Sequence, residues 1–77
     1  MIIKILGSGC PKCKKLEKNA REAVEQTGVE AEVEKVTDMN DIMDYGVMMT
    51  PALVIDEKVV SAGRLLSAKK IVEILNQ

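Results

Sequence analysis

Hydrophobic residues follow two different spacings along this chain, and each spacing indicates a type of secondary structure. The opening run Ile2–Leu6 is short, apolar and rich in β-branched residues, which is typical of a strand. From Cys13 the apolar positions recur every three or four residues until Gly28, with charged residues between them. That spacing predicts an amphipathic helix that begins near Pro11 and ends at a glycine cap.

The middle of the chain changes from one spacing to the other. Over residues 29–36 apolar residues alternate with glutamates, which predicts a half-buried strand at the edge of a sheet. Asp38 is suited to cap a short helix over residues 39–45. The residues of this helix that we expect to face inward are Met39, Ile42 and Met43.

The last third of the chain predicts two strands, joined by a tight turn at Asp56 and Glu57, and a closing helix capped by Ser67. These elements are Ala52–Ile55, Lys58–Ala62 and Ala68–Leu75. The element order is therefore βαβαββα, in which the opening βαβ unit should be parallel and right-handed. We expect an α/β fold in one domain over residues 1–77, with a four-stranded mixed sheet flanked by three helices.

Composition excludes several classes of protein. The 77 residues carry 11 basic and 12 acidic side chains, a net charge of −1, which argues against binding to nucleic acid or to an anionic membrane. No apolar run approaches the roughly 20 residues that cross a bilayer. The first residues lack the features of a signal peptide, so we expect a cytoplasmic protein, and we expect a monomer.

The candidate chemistry lies in Cys10-Pro11-Lys12-Cys13, which holds both cysteines of the chain. A helix N-terminus stabilises a thiolate, and the charge of Lys12 should favour it further. A thiolate beside a second thiol can carry out thiol–disulfide exchange. The alternatives are a buried pair without function and a metal site, although two thiolates supply only half of a tetrahedral ligand set and the chain has no histidine.

A larger pattern surrounds this pair. A Cys-x-x-Cys at the start of the first helix is followed by Thr50-Pro51 before a central strand, by a hairpin and by a closing helix. Together these features resemble the thioredoxin fold over nearly the whole chain. The small size is similar to glutaredoxins and, more closely, to the minimal thioredoxin/glutaredoxin-like proteins known as small redox-active disulfide proteins.

The resemblance implies a role for each of these residues. Cys10 would be the attacking thiolate and Cys13 the more buried resolving thiol, with Pro11 and Lys12 tuning the reduction potential. Pro51 would be a cis-proline opposite the pair. The resemblance also implies electron transport to protein disulfides from a reductase or thiol reductant, with no cofactor besides the redox-active disulfide.

Three neighbouring segments bear on what the pair binds. Thr50 would pair through its backbone with an incoming peptide. Met49 would be an apolar contact for substrates beside the sulfurs or, alternatively, would fill a gap in the core. After the hairpin, Ala62-Gly63-Arg64 lacks the Gly-Gly turn and aspartate of glutathione-using glutaredoxins, so glutathione is not expected as the reductant. Glu17 is either an acceptor for the proton of the resolving thiol or a solvated residue of the helix surface.

Two other functions remain open from the sequence. A protein that binds or transfers a soft metal or metalloid, such as Cu(I) or Zn(II), would use the same two thiolates. A redox sensor would bind a partner in one oxidation state only. Thr50-Pro51 and the closing helix favour the exchange enzyme over the metal carrier, because small metallochaperones with a similar Cys pair end on a strand and lack the Thr-Pro.

Overall fold

The computed structural model describes residues 1–76 and contains one mixed sheet with the strand order β2-β1-β3-β4. β1 is parallel to β2 and antiparallel to β3, and β3 is antiparallel to β4. The predicted element order and the four-stranded mixed sheet are confirmed. The elements are β1 Ile2–Leu6, α1 Pro11–Thr27, β2 Glu32–Val36, α2 Met39–Asp44, β3 Ala52–Ile55, β4 Lys58–Ala62 and α3 Ala68–Leu75.

Each face of the sheet has its own apolar core, because side chains alternate between the faces of a strand. Helices α1 and α3 pack against each other and cover one face. The fully buried residues of that core are Ile3, Ile5, Leu16, Ala20, Ala23, Leu53 and Ile71. The short helix α2 covers part of the other face. The buried residues there are Leu6, Ile42, Val47, Ala52 and Val54.

Helix α1 begins and ends where local chemistry predicts. Cys10 is its N-cap, and Pro11 occupies the first helical position, where the missing N–H of proline has no partner to lose. Gly28 ends the helix in the left-handed conformation, at φ 69°, and its N–H donates to the carbonyl of Val24 at 3.0 Å. The helix therefore carries the Cys pair on its first turn.

The edge strand β2 begins at Glu32, three residues later than the alternating pattern predicts. Pairing with β1 starts at Ile2 opposite Glu32, so residues 29–31 have no strand beside them. Alternation shows which residues share a face, but the partner strand decides where a ladder begins.

The predicted burial of Met39 and Met43 is wrong. Their side chains are 59% and 63% exposed, and within α2 only Ile42 is buried. A six-residue helix makes less than two turns, so it can bring a single large residue onto the sheet. The helix also ends at Asp44, one residue before the predicted end, with Tyr45 as its C-cap.

Tyr45 belongs to a polar cluster with Lys4 of β1 and Glu57 of the hairpin turn. Lys4 Nζ donates to Tyr45 Oη at 2.8 Å and to Glu57 Oε1 at 2.6 Å, and Tyr45 Oη donates to Glu57 Oε2 at 3.1 Å. Hydrogen bonds raise the pKa of Lys4 and lower that of Glu57. The cluster fixes a hairpin turn in which Asp56 and Glu57 both have positive φ, at 48° and 68°.

Candidate active site at the start of the first helix

The Cys pair lies at the carboxyl end of β1. Gly7 extends the β1 ladder, since its N–H donates to the carbonyl of Val36 at 3.0 Å. Gly9, with φ 92°, then turns the chain into α1. Cys10 is half-buried at the helix N-cap, whereas Cys13 is only 5% exposed. The structure therefore places one sulfur within reach of solvent and the other inside the fold.

Hydrogen bonds and burial separate the two thiols chemically. The Cys13 backbone N–H donates to Cys10 Sγ at 3.3 Å. The Cys13 side chain also hydrogen-bonds to this sulfur, and it is the largest cause of a lowered Cys10 pKa, followed by the Cys13 backbone N–H. Burial is the main cause of a raised Cys13 pKa. Cys10 is therefore the thiol that ionises more readily.

Lys12 also acts on Cys10 through its backbone. Its backbone N–H, one of the unpaired donors of the helix N-terminus, helps to lower the Cys10 pKa. The Lys12 ammonium group is exposed and is not among the causes of that shift. The N–H groups of the helix terminus therefore favour the thiolate.

A small cavity of about 80 Å³ lies behind Cys13. Its lining residues are Ile5, Gly7, Gly9, Cys13, Lys14, Glu17, Lys35 and Thr37. The Glu17 side chain is only 16% exposed, so it is more than a solvated residue of the helix surface. Its carboxylate accepts from Arg21 at 3.0 Å and lies 3.7 Å from Lys35 Nζ. A carboxylate and a buried thiol thus face the same cavity.

The segment before β3 forms the other side of the site. Pro51 is buried and follows a cis peptide bond, and its carbonyl accepts from the Gly63 N–H at 2.8 Å. Thr50 lies near Cys13, because a Cβ on Gly7 would lie 3.8 Å from Thr50 Cβ and would also meet the Cys13 side chain. The structure therefore brings this segment close to Cys13.

The methionines before Thr50 are exposed. Met48 is 97% exposed and Met49 63% exposed, so neither fills a gap in the core. The Met49 side chain lies over Gly63, where an added Cβ would come within 3.0 Å of Met49 Cβ. The Met49 thioether and Gly63 thus form an apolar wall beside the Thr50-Pro51 segment.

Sequence reasoning missed two residues of this site. From the sequence, Gly7-Ser8-Gly9 is expected only to be a loop in which the chain turns, although Gly7 is buried against Cys13. Lys35 appeared only as a strand residue, although it lines the cavity behind Cys13. One signal was available for Lys35: it follows Val33 at the alternating interval and takes a position where an inward-facing apolar residue is expected.

Two further observations limit what the chain can do. Within residues 1–76, no three side chains of His, Cys, Asp or Glu come together in a way that could hold a metal ion. In the same range, no helix has both the length and the apolar character needed to span a bilayer.

Known proteins match this chain along almost its entire length. The family model described as a thioredoxin domain matches residues 1–76. A protein named thioredoxin from Methanothermobacter thermautotrophicus is 43% identical over 76 residues, which cover 99% of each chain. Another protein named thioredoxin, from Methanocaldococcus jannaschii, is 41% identical over 73 residues, 95% of this chain and 84% of that one. With two thiols of opposite pKa shift at a helix N-terminus, this chain belongs to the thioredoxin family of thiol–disulfide oxidoreductases.

Proposed function

We propose that this protein reduces disulfides of other proteins, with Cys10 as the attacking thiolate and Cys13 as the resolving thiol. The observation that carries the proposal is the contrast between the two sulfurs. Cys10 is half-buried with a lowered pKa, and Cys13 is buried with a raised pKa. The first attack requires an accessible thiolate, and the second requires a thiol that stays protonated and protected until it is needed.

The proposed reaction has two displacement steps. The Cys10 thiolate attacks one sulfur of the substrate disulfide, whose other sulfur leaves as a thiolate. Cys13 then loses its proton and attacks Cys10 Sγ in the mixed disulfide, which releases the second substrate sulfur. The substrate gains two electrons, and this chain is left with a Cys10–Cys13 disulfide. A dithiol reductase or another thiol reductant must return the two electrons.

Glu17 is the proposed acceptor of the Cys13 proton. Its carboxylate lines the same cavity as Cys13, and Lys35 and Arg21 hold it there. A proton can pass through one water molecule between two groups that face a common cavity. The raised Cys13 pKa makes such an acceptor useful, because the buried thiol does not ionise readily alone.

Substrate contacts are assigned to the surface beside Cys10. We propose that the backbone of Thr50, next to Pro51, pairs with an extended substrate segment, as the family resemblance implies. The exposed thioether of Met49 would contact the side chains that flank the substrate cysteine. Pro11 and Lys12 tune the potential of the pair. We propose that the protein acts as a monomer in electron transport in the cytoplasm, with a reductant other than glutathione.

The reduction potential of the pair tests this proposal directly. The metal-free protein is equilibrated in graded thiol buffers, and its free thiols are counted by mass spectrometry after alkylation. We expect a reversible two-electron transition at roughly −200 to −270 mV, the range of glutaredoxins and thioredoxin. Failure to form an internal disulfide at any of these potentials would contradict exchange through the pair.

Metal transfer is the less favoured function. A tetrahedral Zn(II) site needs two ligands beyond Cys10 and Cys13, and within residues 1–76 no three side chains of His, Cys, Asp or Glu come together in a way that could hold a metal ion. Titration of the reduced protein with Zn(II) or Cu(I) distinguishes the two functions. Tight binding, together with failure to reduce a disulfide substrate, would favour the metal carrier.

A further inference from the structure

We propose that the surface beside Cys10 binds an acidic segment of the partner protein through three cations, Lys12, Lys15 and Arg64. This inference rests on the proposed function, because the bound segment would carry the cysteine that Cys10 attacks. A partner protein must therefore carry carboxylates close to its reactive cysteine.

The first observation is an excess of positive charge where a helix least favours it. Residues 11–18 hold four lysines and a single acid, Glu17, and the first turn of α1 contains no acidic residue. The helix dipole makes lysines near an N-terminus unfavourable. Glu17 pairs with Arg21 and Lys35, and none of the four lysines forms an ion pair in the described part of the chain. These lysines therefore do not stabilise α1 by themselves.

Arg64 lies on the same side of the molecule as Lys12 and Lys15. Lys12 and Lys15 are three residues apart and share one face of α1. Four residues further along that face, Asn19 Nδ2 donates to the Leu66 carbonyl at 2.8 Å. This face of α1 therefore runs beside the loop that contains Arg64, which is exposed and forms no ion pair within residues 1–76.

Apolar groups complete the surface. Leu65 is 39% exposed and Met49 63% exposed, and Met49 lies over Gly63, immediately before Arg64. Arg64 therefore stands next to exposed aliphatic and thioether groups. A segment that combines carboxylates with an apolar residue is complementary to both parts of the surface. Because the charges are exposed, their main effect should be on the rate of association.

The test compares two disulfide-bonded peptides that differ only in charge. In one peptide glutamates flank the cysteines, and in the other glutamines replace them. Reduction of each peptide is followed by stopped-flow fluorescence, and the ratio of the two rate constants is calculated. Because both rate constants depend on the same Cys10 thiolate fraction, a change in that fraction does not alter the ratio. We expect the glutamate peptide to react about tenfold faster at low ionic strength. The ratio should fall towards one near 1 M salt, where the Debye length is about 3 Å.

Two double variants assign the effect to this surface. In Lys15→Gln/Arg64→Gln we expect the ratio to fall close to one at low salt. Lys58→Gln/Lys70→Gln makes the same change in net charge on β4 and α3, and it should keep the ratio of the unmodified protein.

Equal reaction of the two peptides with the unmodified protein, or an equal loss of preference in both double variants, would overturn the inference. If the unmodified protein self-associates and Lys15→Gln/Arg64→Gln does not, the inference is also overturned. The surface would then be assigned to contact with a second copy of the chain. Failure to reduce either peptide would instead contradict the proposed function. The two proposals therefore fail in distinguishable ways.

Discussion

Gly7 leaves open the space that the sulfur of Cys13 occupies. A Cβ added to Gly7 would lie 3.2 Å from Cys13 Cβ and would overlap Cys13 Sγ itself. Both residues are buried, so an added methyl group on residue 7 would have to displace the Cys13 side chain or the backbone around it. The end of β1 and the first turn of α1 can approach this closely only because residue 7 has no side chain.

We expect Gly7→Ala to disturb both the fold and the resolving thiol. Overpacking of a buried position costs about 1–3 kcal/mol, and here the displaced group is Cys13. Urea unfolding measures the loss of stability, and the rate of Cys10–Cys13 disulfide formation measures the displacement. Ser8→Ala, at the exposed neighbouring position, is the matched control and should change neither quantity. An unchanged free energy of unfolding in Gly7→Ala would show that the close approach is unimportant.

The two cysteine variants should fail at different steps. Cys10→Ser should abolish exchange, whereas Cys13→Ser should still attack a substrate and remain joined to it through Cys10. Mass spectrometry of the trapped complex, after digestion, identifies the cysteine that carries the substrate. A mixed disulfide through Cys13 in the Cys10→Ser variant, formed as readily as the expected one, would reverse the proposed roles.

The pH dependence of alkylation should report the lowered Cys10 pKa. Only the thiolate reacts, so the rate of reaction with iodoacetamide should rise with pH and level off above the Cys10 pKa. The midpoint of this rise should lie at a lower pH than for an ordinary cysteine. The Cys13 side chain is the largest cause of this shift, so Cys13→Ala should move the midpoint to higher pH. Identical midpoints in the two proteins would show that the helix terminus alone sets the Cys10 pKa.

Glu17→Gln should slow the second displacement and leave the first unchanged. Without a carboxylate in the cavity, the buried Cys13 thiol loses its proton more slowly, and we expect release of the second substrate sulfur to fall roughly ten- to a hundredfold near neutral pH. The loss should diminish as pH approaches the raised Cys13 pKa, because hydroxide then replaces the carboxylate. Rapid-quench analysis of the mixed disulfide measures this step.

Glu22→Gln, on an exposed position of the same helix, is the control for this substitution. It makes the same change in charge without touching the cavity behind Cys13. An equal slowing in both variants, at every pH, would assign the effect to net charge and remove Glu17 from the proton path.

Two substitutions in α2 test the correction to the sequence-based core. Ile42 is 2% exposed, so Ile42→Ala should lower the free energy of unfolding by about 2–5 kcal/mol. Met43 is 63% exposed, so Met43→Ala should change it by no more than about 0.5 kcal/mol. Comparable losses for the two variants would restore the predicted inward position of Met43.

The sequence by itself determined the order and type of the elements and the class of the sheet, and it singled out the two sulfurs that we propose carry the chemistry. These features depend on local information: hydrophobic spacing within one element, a proline and glycine at the ends of α1, and the separation of Cys10 from Cys13. Each can be recognised before any contact between distant parts of the chain is known.

Only the tertiary structure decided which residues surround those sulfurs. Hydrophobic spacing assigned Met43 to the core, although α2 is too short to bury it. Spacing also could not show that β2 begins at Glu32, opposite Ile2 at the start of β1. It also gave no reason to place Gly7 against Cys13 of α1. Although alternation puts Lys35 of β2 at an inward position, it does not show that Lys35 and Cys13 line one cavity. The physical reason is the same in each case: a side chain's spacing fixes the face it lies on, whereas its neighbours depend on how strands and helices from distant segments pack together.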